Sequence, residues 1–172
     1  MAMTSTAGLR WLGQCGFVGS TQIGSQDIFR LLPPSGFQAI KMNLPKDSGQ
    51  KVALANLIIR RFDPNQSLLV WVGNCMIWPS SGHIPLLMRL RQALGESRPL
   101  EEAQAHLFSS AEREDAVSFL ILSLEFFWDL LIVESTGTLS FFVSHDEYLQ
   151  VMAKDGNALR EIDDRLIRFV KA

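Results

Sequence analysis

Ser144, His145 and Asp146 stand side by side in this 172-residue chain, and they are the three residue types of a hydrolytic triad. A triad, however, needs side chains that converge at hydrogen-bond distance, and adjacent residues diverge. The same stretch has the spacing of a helix start: Ser144 as N-cap, Glu147 three positions on, and Asp146 in the first turn near the positive end of the helix dipole. The expectation is a capped helix over residues 146–154, with His145 left free to meet a partner or a ligand.

A second candidate is the loop from Trp78 through Pro79, Ser80, Ser81 and Gly82 to His83. If residues 67–78 form a parallel strand, this loop leaves the carboxyl end, where open α/β sheets bind ligands. A helix start follows it and offers backbone N–H groups to an anion. Lys46 and Asp47 leave the preceding strand on the same edge. The candidate ligand or partner contacts are therefore Lys46, Asp47, Trp78, Ser80, His83, His145 and Asp146. No G-x-S-x-G elbow or P-loop singles out a catalytic residue, and an ordinary strand–helix connection is the simpler account of the loop.

Other chemistry-bearing residues are more dispersed. His83, His106 and His145 could meet on a metal with Asp129, Asp146 or Glu147, but no short ligand spacing such as H-E-x-x-H occurs, so no metal is expected. Glu125 and Asp129 are four apart, and paired carboxylates can divide acid and base roles. A helix end is expected between them, so each is expected to pair with an arginine or to surface. Cys15 and Cys75 form no C-x-x-C, and Cys75 reads as a small buried hydrophobe. Gly13, Gly16 and Gly19 do not make the G-x-G-x-x-G fingerprint, and no cofactor is expected.

The elements that must position these residues follow from periodicity and end signals. Residues 1–35 read as an irregular N-terminal arm, with a short helix near 26–32 closed by Pro33 and Pro34. Residues 36–172 read as one α/β domain. Residues 36–44 alternate as a strand, and Asp47 with Gln50 caps a helix carrying Val52, Ala55, Ile59 and Phe62 on one face. Residues 67–78 follow as a nearly continuous apolar strand. Strand, helix and strand in that order make a βαβ unit.

Pro85 suits the first turn of a helix over 83–94, and Gly95 suits its end. Residues 98–108 read as a connection, and Ser109 with Glu112 begins a helix running to about Phe126. Strands over 128–134 and 139–143 flank the hairpin signal Ser135-Thr136-Gly137-Thr138. A final helix over 158–170 carries Leu159, Ile162, Leu166 and Phe169 on one side, with Glu161–Arg165 and Asp164–Arg168 pairs on the other. The predicted fold is α/β, or α+β: a single-domain mixed sheet built from a βαβ unit plus a β-hairpin, packed by four to five helices.

Residues 116–133 are the most apolar stretch, broken only by Ser118, Ser123, Glu125 and Asp129. A membrane-spanning helix needs roughly 20 apolar residues, and an acid near its centre costs about 2.5–3.5 kcal/mol. With Glu125 and Asp129 inside the run, it reads as a buried helix that hands over to a buried strand. Sixteen basic and eighteen acidic residues give a net charge of −2, without the clustered Lys and Arg that nucleic acid draws on. The N-terminal residues hold no continuous apolar core of a secretory signal. The expected setting is cytoplasmic, with another protein as partner, no nucleic acid and no membrane; the apolar excess leaves a homo-oligomer open.

Trp78-Pro79-Ser80, Leu90 to Gly95, Ala105-His106-Leu107-Phe108, Glu114-Asp115, Phe126 to Asp129 and Ser144 to Tyr148 form an ordered pattern. It resembles one in a family of small bacterial proteins without assigned activity, over the C-terminal two-thirds of the chain. Where that pattern has Pro-Gly before His-Leu-Phe, this chain has Gln104-Ala105. In size and style such proteins are similar to immunity proteins of bacterial toxin systems. The resemblance implies a non-enzymatic protein-binding module of the immunity or antitoxin type. The alternative is a small hydrolase using the 78–83 loop with His145.

Overall fold

A computed structural model of the chain describes residues 2–20, 30–32, 34–73 and 80–170. The strands are β1 (Ala2–Met3), β2 (Val18–Ser20), β3 (Arg30–Leu32), β4 (Gln38–Asn43), β5 (Leu68–Val72), β6 (Ala105–Phe108), β7 (Leu130–Glu134), β8 (Leu139–Ser144) and β9 (Tyr148–Ala153). The helices are α1 (Ser5–Gln14), α2 (Ser48–Ile59), α3 (Ile84–Ala93), α4 (Arg113–Phe126) and α5 (Gly156–Val170), with 3-10 turns at Ser80–His83 and Ser110–Glu112. Seven strands form one sheet in the order β1-β6-β5-β7-β8-β9-β4, and β2 pairs with β3.

The fold is α+β, a sheet packed by helices within one domain. Every neighbouring pair in the sheet is antiparallel. This corrects the mixed sheet with a βαβ unit. β4 and β5 do run in the same direction and α2 does join them, but β9, β8 and β7 stand between. The reason lies in residues 146–154, expected as a helix. Residues 148–153 are β9, paired on one side with β8 and on the other with β4. Leu149, Val151 and Ala153 are buried in one core, while Tyr148 and Gln150 are half-exposed and Met152 is buried in the other, the period-two alternation of faces in a strand. Ser144 Oγ does accept from Asp146 N at 3.2 Å, but the same bond that would cap a helix here closes a turn. Glu147, in the left-handed region at φ 60°, completes the three-residue loop.

Two apolar layers follow from strand alternation. Leu68, Val70, Val72, Ile132, Phe141, Val143, Leu149 and Val151 face α2, α3, α4 and α5. Leu69, Trp71, Ala105, Leu131, Val133 and Met152 face the other way, toward Leu12 of α1 and Phe17. The N-terminal stretch expected as an irregular arm therefore contributes β1, β2, β3 and α1, and it supplies Leu12 and Phe17 to the second core. Thr4 caps α1 by accepting from Ala7 N, and Leu9 and Leu12 turn the helix onto Trp71. Gly8 lets it come close, since a Cβ there would lie 2.5 Å from the Ala105 Cβ. The short helix expected near 26–32 falls mostly outside the described residues; residues 30–32 are strand.

α2 begins at the Asp47 cap, whose Oδ1 accepts from Gln50 N at 2.9 Å. α4 is preceded by the reciprocal Ser109–Glu112 capping box. It ends at Phe127 in the left-handed conformation, and β7 then starts at Leu130, so the apolar run is helix followed by strand. Among the described residues no helix is long and apolar enough to cross a membrane. Residues 98–108, expected as a connection, contain β6. A four-residue strand carries no legible period, and it exists by pairing with β5.

Candidate functional site

The C-terminal ends of β4, β5 and β8 and the N-terminal ends of β7 and β9 share one edge of the sheet. The β4–α2 connection and the β8–β9 turn meet there, with Leu44 N donating to Glu147 O at 2.8 Å. Lys46, Asp47, His145 and Asp146 are thus brought to the same end. Lys46 is exposed, and Asp47 is occupied as the α2 cap. Trp78 lies outside the described residues. Ser80 opens the 3-10 turn that leads into α3. His83 precedes α3 without a side-chain cap bond, and its ring lies 4.5 Å from that of Phe126, near the end of α4.

The residue that organises this end is Asp129, just before β7. Its Oδ1 accepts from His145 N at 2.6 Å and from His145 Nδ1 at 2.8 Å. An ionised carboxylate can only accept, so the Nδ1 proton belongs to the imidazole and Nε2 faces outward. Nε2 lies 3.5 Å from Oδ1 of the exposed Asp146. Asp129 is 7% exposed, and burial pushes its carboxyl up against the opposing pull of the two His145 bonds. Its backbone is clamped as well: Gly73 N donates to Asp129 O at 2.7 Å. A Cβ at Gly73 would sit 3.1 Å from the Asp129 Cβ, so a glycine lets the end of β5 lie this close.

A second pair lies where α2 meets α4. Lys51 Nζ donates to Glu125 Oε2 at 3.2 Å and stands 5.2 Å from the centre of the Phe127 ring. Glu125 and Asp129 were expected to pair with arginine or to surface. They instead take Lys51 and His145. Sequence reasoning missed Lys51 because it occupies the α2 face that looks like the first turn of a solvent-exposed helix. The sequence offered Asp129 as a carboxylate beside Glu125 or as a metal ligand with the histidines, and its place in an apolar run signalled that a buried acid must have a partner.

Chemically, the Asp129–His145 pair fixes one imidazole tautomer and presents Nε2, as a general base requires. Among the described residues no hydroxyl or thiol hydrogen-bonds to His145 Nε2, and no group of three or more His, Cys, Asp and Glu is placed to hold a metal ion. His106, the third histidine, belongs to a different environment. It is 1% exposed in β6, and its Nε2 accepts from Arg91 Nε at 3.3 Å. Arg91 also donates to the carbonyl oxygens of Arg98 and Ala103, tying the α3–β6 connection to the sheet. Glu96 receives Arg98 through its Nε and NH2 groups, and that hydrogen bonding holds its carboxyl at about 2.

The described residues cover only part of the second face of the sheet. Toward β4 it presents Phe142, Tyr148, Gln150, Lys41 and Asn43, all exposed or half-exposed. The Phe142 and Tyr148 rings are 6.0 Å apart, and Lys41 Nζ lies 3.4 Å from the centre of the Tyr148 ring. The chain matches no protein-family model, no curated protein and no solved structure.

Proposed function

We propose that this chain is a non-enzymatic, cytoplasmic protein-binding module of the immunity or antitoxin type, acting on a protein of a bacterial toxin system. The observation that carries the reading is the part of the sheet face left uncovered by the described residues, where Phe142, Tyr148 and Lys41 form an aromatic and cationic patch beside the β8–β9 turn. Aromatic side chains on a rigid sheet supply contact area at low entropic cost, and such residues dominate binding hot spots. The exposed Asp47, Asp146 and Glu147 rim the same end, and acids there complement a basic partner. Capture from a bacterial extract tests this. The native chain is expected to retain one specific protein, and Tyr148→Ala to lose it while Asp155→Ala, at the opposite end, keeps it. Retention of nothing by the native chain, or equal retention by Tyr148→Ala, would overturn the reading.

The Asp129–His145 pair favours a second reading, a small hydrolase in which His145 is the base and the 78–83 loop completes the site. It predicts hydrolysis of p-nitrophenyl acetate above the buffer rate, abolished by His145→Gln. Equal rates for both proteins would end it.

A further inference from the structure

β4 closes one side of the seven-stranded sheet, and four of its six residues, Gln38, Ala39, Lys41 and Asn43, are exposed. Its register with β9 is unbroken from Gln38↔Ala153 to Asn43↔Tyr148, with no bulge. The Leu44 N to Glu147 O bond extends that ladder by one pair. Hydrogen-bonded pairs alternate along an antiparallel ladder, so Met42, Ile40 and Gln38 exchange their bonds with β9. The N–H and C=O groups of Ala39, Lys41 and Asn43 therefore point to the outer side, where no described strand meets them. All three residues are exposed, while Ile40 and Met42 anchor the strand by packing against the core.

Proteins guard such edges with proline, bulges or charge. β4 has no proline and no bulge; its single charge is Lys41, whose ammonium is drawn onto the Tyr148 ring. We propose that β4 accepts an added antiparallel strand from a partner protein, an extended segment carrying an acidic side chain opposite Lys41. This inference rests on the protein-binding reading and names its mode. Charge decides against a second copy as occupant. The two-fold register that engages Ala39, Lys41 and Asn43 together sets Lys41 directly against Lys41 of the copy, and like charges directly opposite are destabilising. An Asp or Glu in that place is attracted by Lys41 while every outward backbone group is paired. β4 separates the incoming segment from Tyr148, and Lys41, over the Tyr148 ring, is the side chain common to the edge and the aromatic patch.

The test is an amide-resolved NMR titration of the full chain with the capped peptide Thr-Val-Glu-Val-Thr and with its twin carrying Lys at the centre. With the Glu peptide, amide exchange at Ala39, Lys41 and Asn43 is expected to slow at least fivefold, with Ile40 and Met42 unchanged because β9 already protects them. The Lys peptide is expected to bind about two- to tenfold more weakly, and Lys41→Glu to reverse that preference. Ala39→Pro removes an outward N–H without touching the β9 ladder, and it is expected to abolish binding while leaving the urea midpoint in place. Protection elsewhere or nowhere, or a preference unchanged by Lys41→Glu, overturns the proposal. Self-association lost in Ala39→Pro would give the edge to a second copy and overturn it too. A captured partner that Ala39→Pro still retains would sink the edge while sparing the protein-binding reading.

Discussion

His106 makes stability depend on pH in a way that can be worked out from its surroundings. It is almost wholly enclosed, its ring lies 5.1 Å from Phe119, and Arg91 donates to its Nε2. Arginine cannot accept, so the native imidazole is neutral with its proton on Nδ1. Burial first, and the Arg91 charge second, hold its pKa down to about 4 from an ordinary 6.5. A depressed histidine contributes stability that is complete above the unfolded value and is lost as pH falls toward the folded one. Between pH 7.5 and pH 5 the unfolded chain gains a proton at this position that the native chain refuses, which costs about 2 kcal/mol of stability. His106→Gln keeps a carbonyl acceptor for Arg91 and cannot titrate. Urea unfolding followed by tryptophan fluorescence should therefore show the native midpoint falling further than that of His106→Gln, by about 1 M for an m-value near 2 kcal/mol/M. Glu96 does not interfere, because its stabilisation is lost only below the unfolded carboxylate range, between about 4.5 and 2. Equal midpoint shifts in the two proteins would refute a neutral, Arg91-bonded His106.

Three further outcomes follow from named contacts. Gly8→Val should destabilise by about 1–3 kcal/mol in urea, because its Cβ meets Ala105, and adding Ala105→Gly should recover part of the loss. Glu125→Ala leaves the nearly buried Lys51 ammonium without its partner and should cost about 1–3 kcal/mol, with Lys51→Met on the same background restoring much of it. Asp129→Ala strips both His145 donors and should cost about 1–3 kcal/mol by thermal melting, whereas Asp129→Asn keeps an acceptor oxygen and should cost less. Equal losses for Ala and Asn would show that the carboxylate does not hold the turn.

Local signals in the chain determined a great deal here. The Asp47 cap, the Ser109–Glu112 box, Gly95 after α3 and the helix-to-strand change near Phe127 were all legible, because each is a contest among a few adjacent groups. The sequence placed Lys46 and Asp47 at a strand end, but their meeting with His145 and Asp146 came from the pairing of β4 with β9. What sequence could not decide was whether Ser144 starts a helix or closes a turn. A side-chain oxygen accepting a nearby N–H serves both, and pairing with β8 and β4, far away in the chain, selected the strand. That one choice moved β4 away from β5 and made the sheet antiparallel. The Asp129–His145 and Lys51–Glu125 pairs likewise join residues 16 and 74 positions apart. Burial forces such charges to find partners, but only the packing of α2 on α4 and of β7 on β8 decides which partners they find.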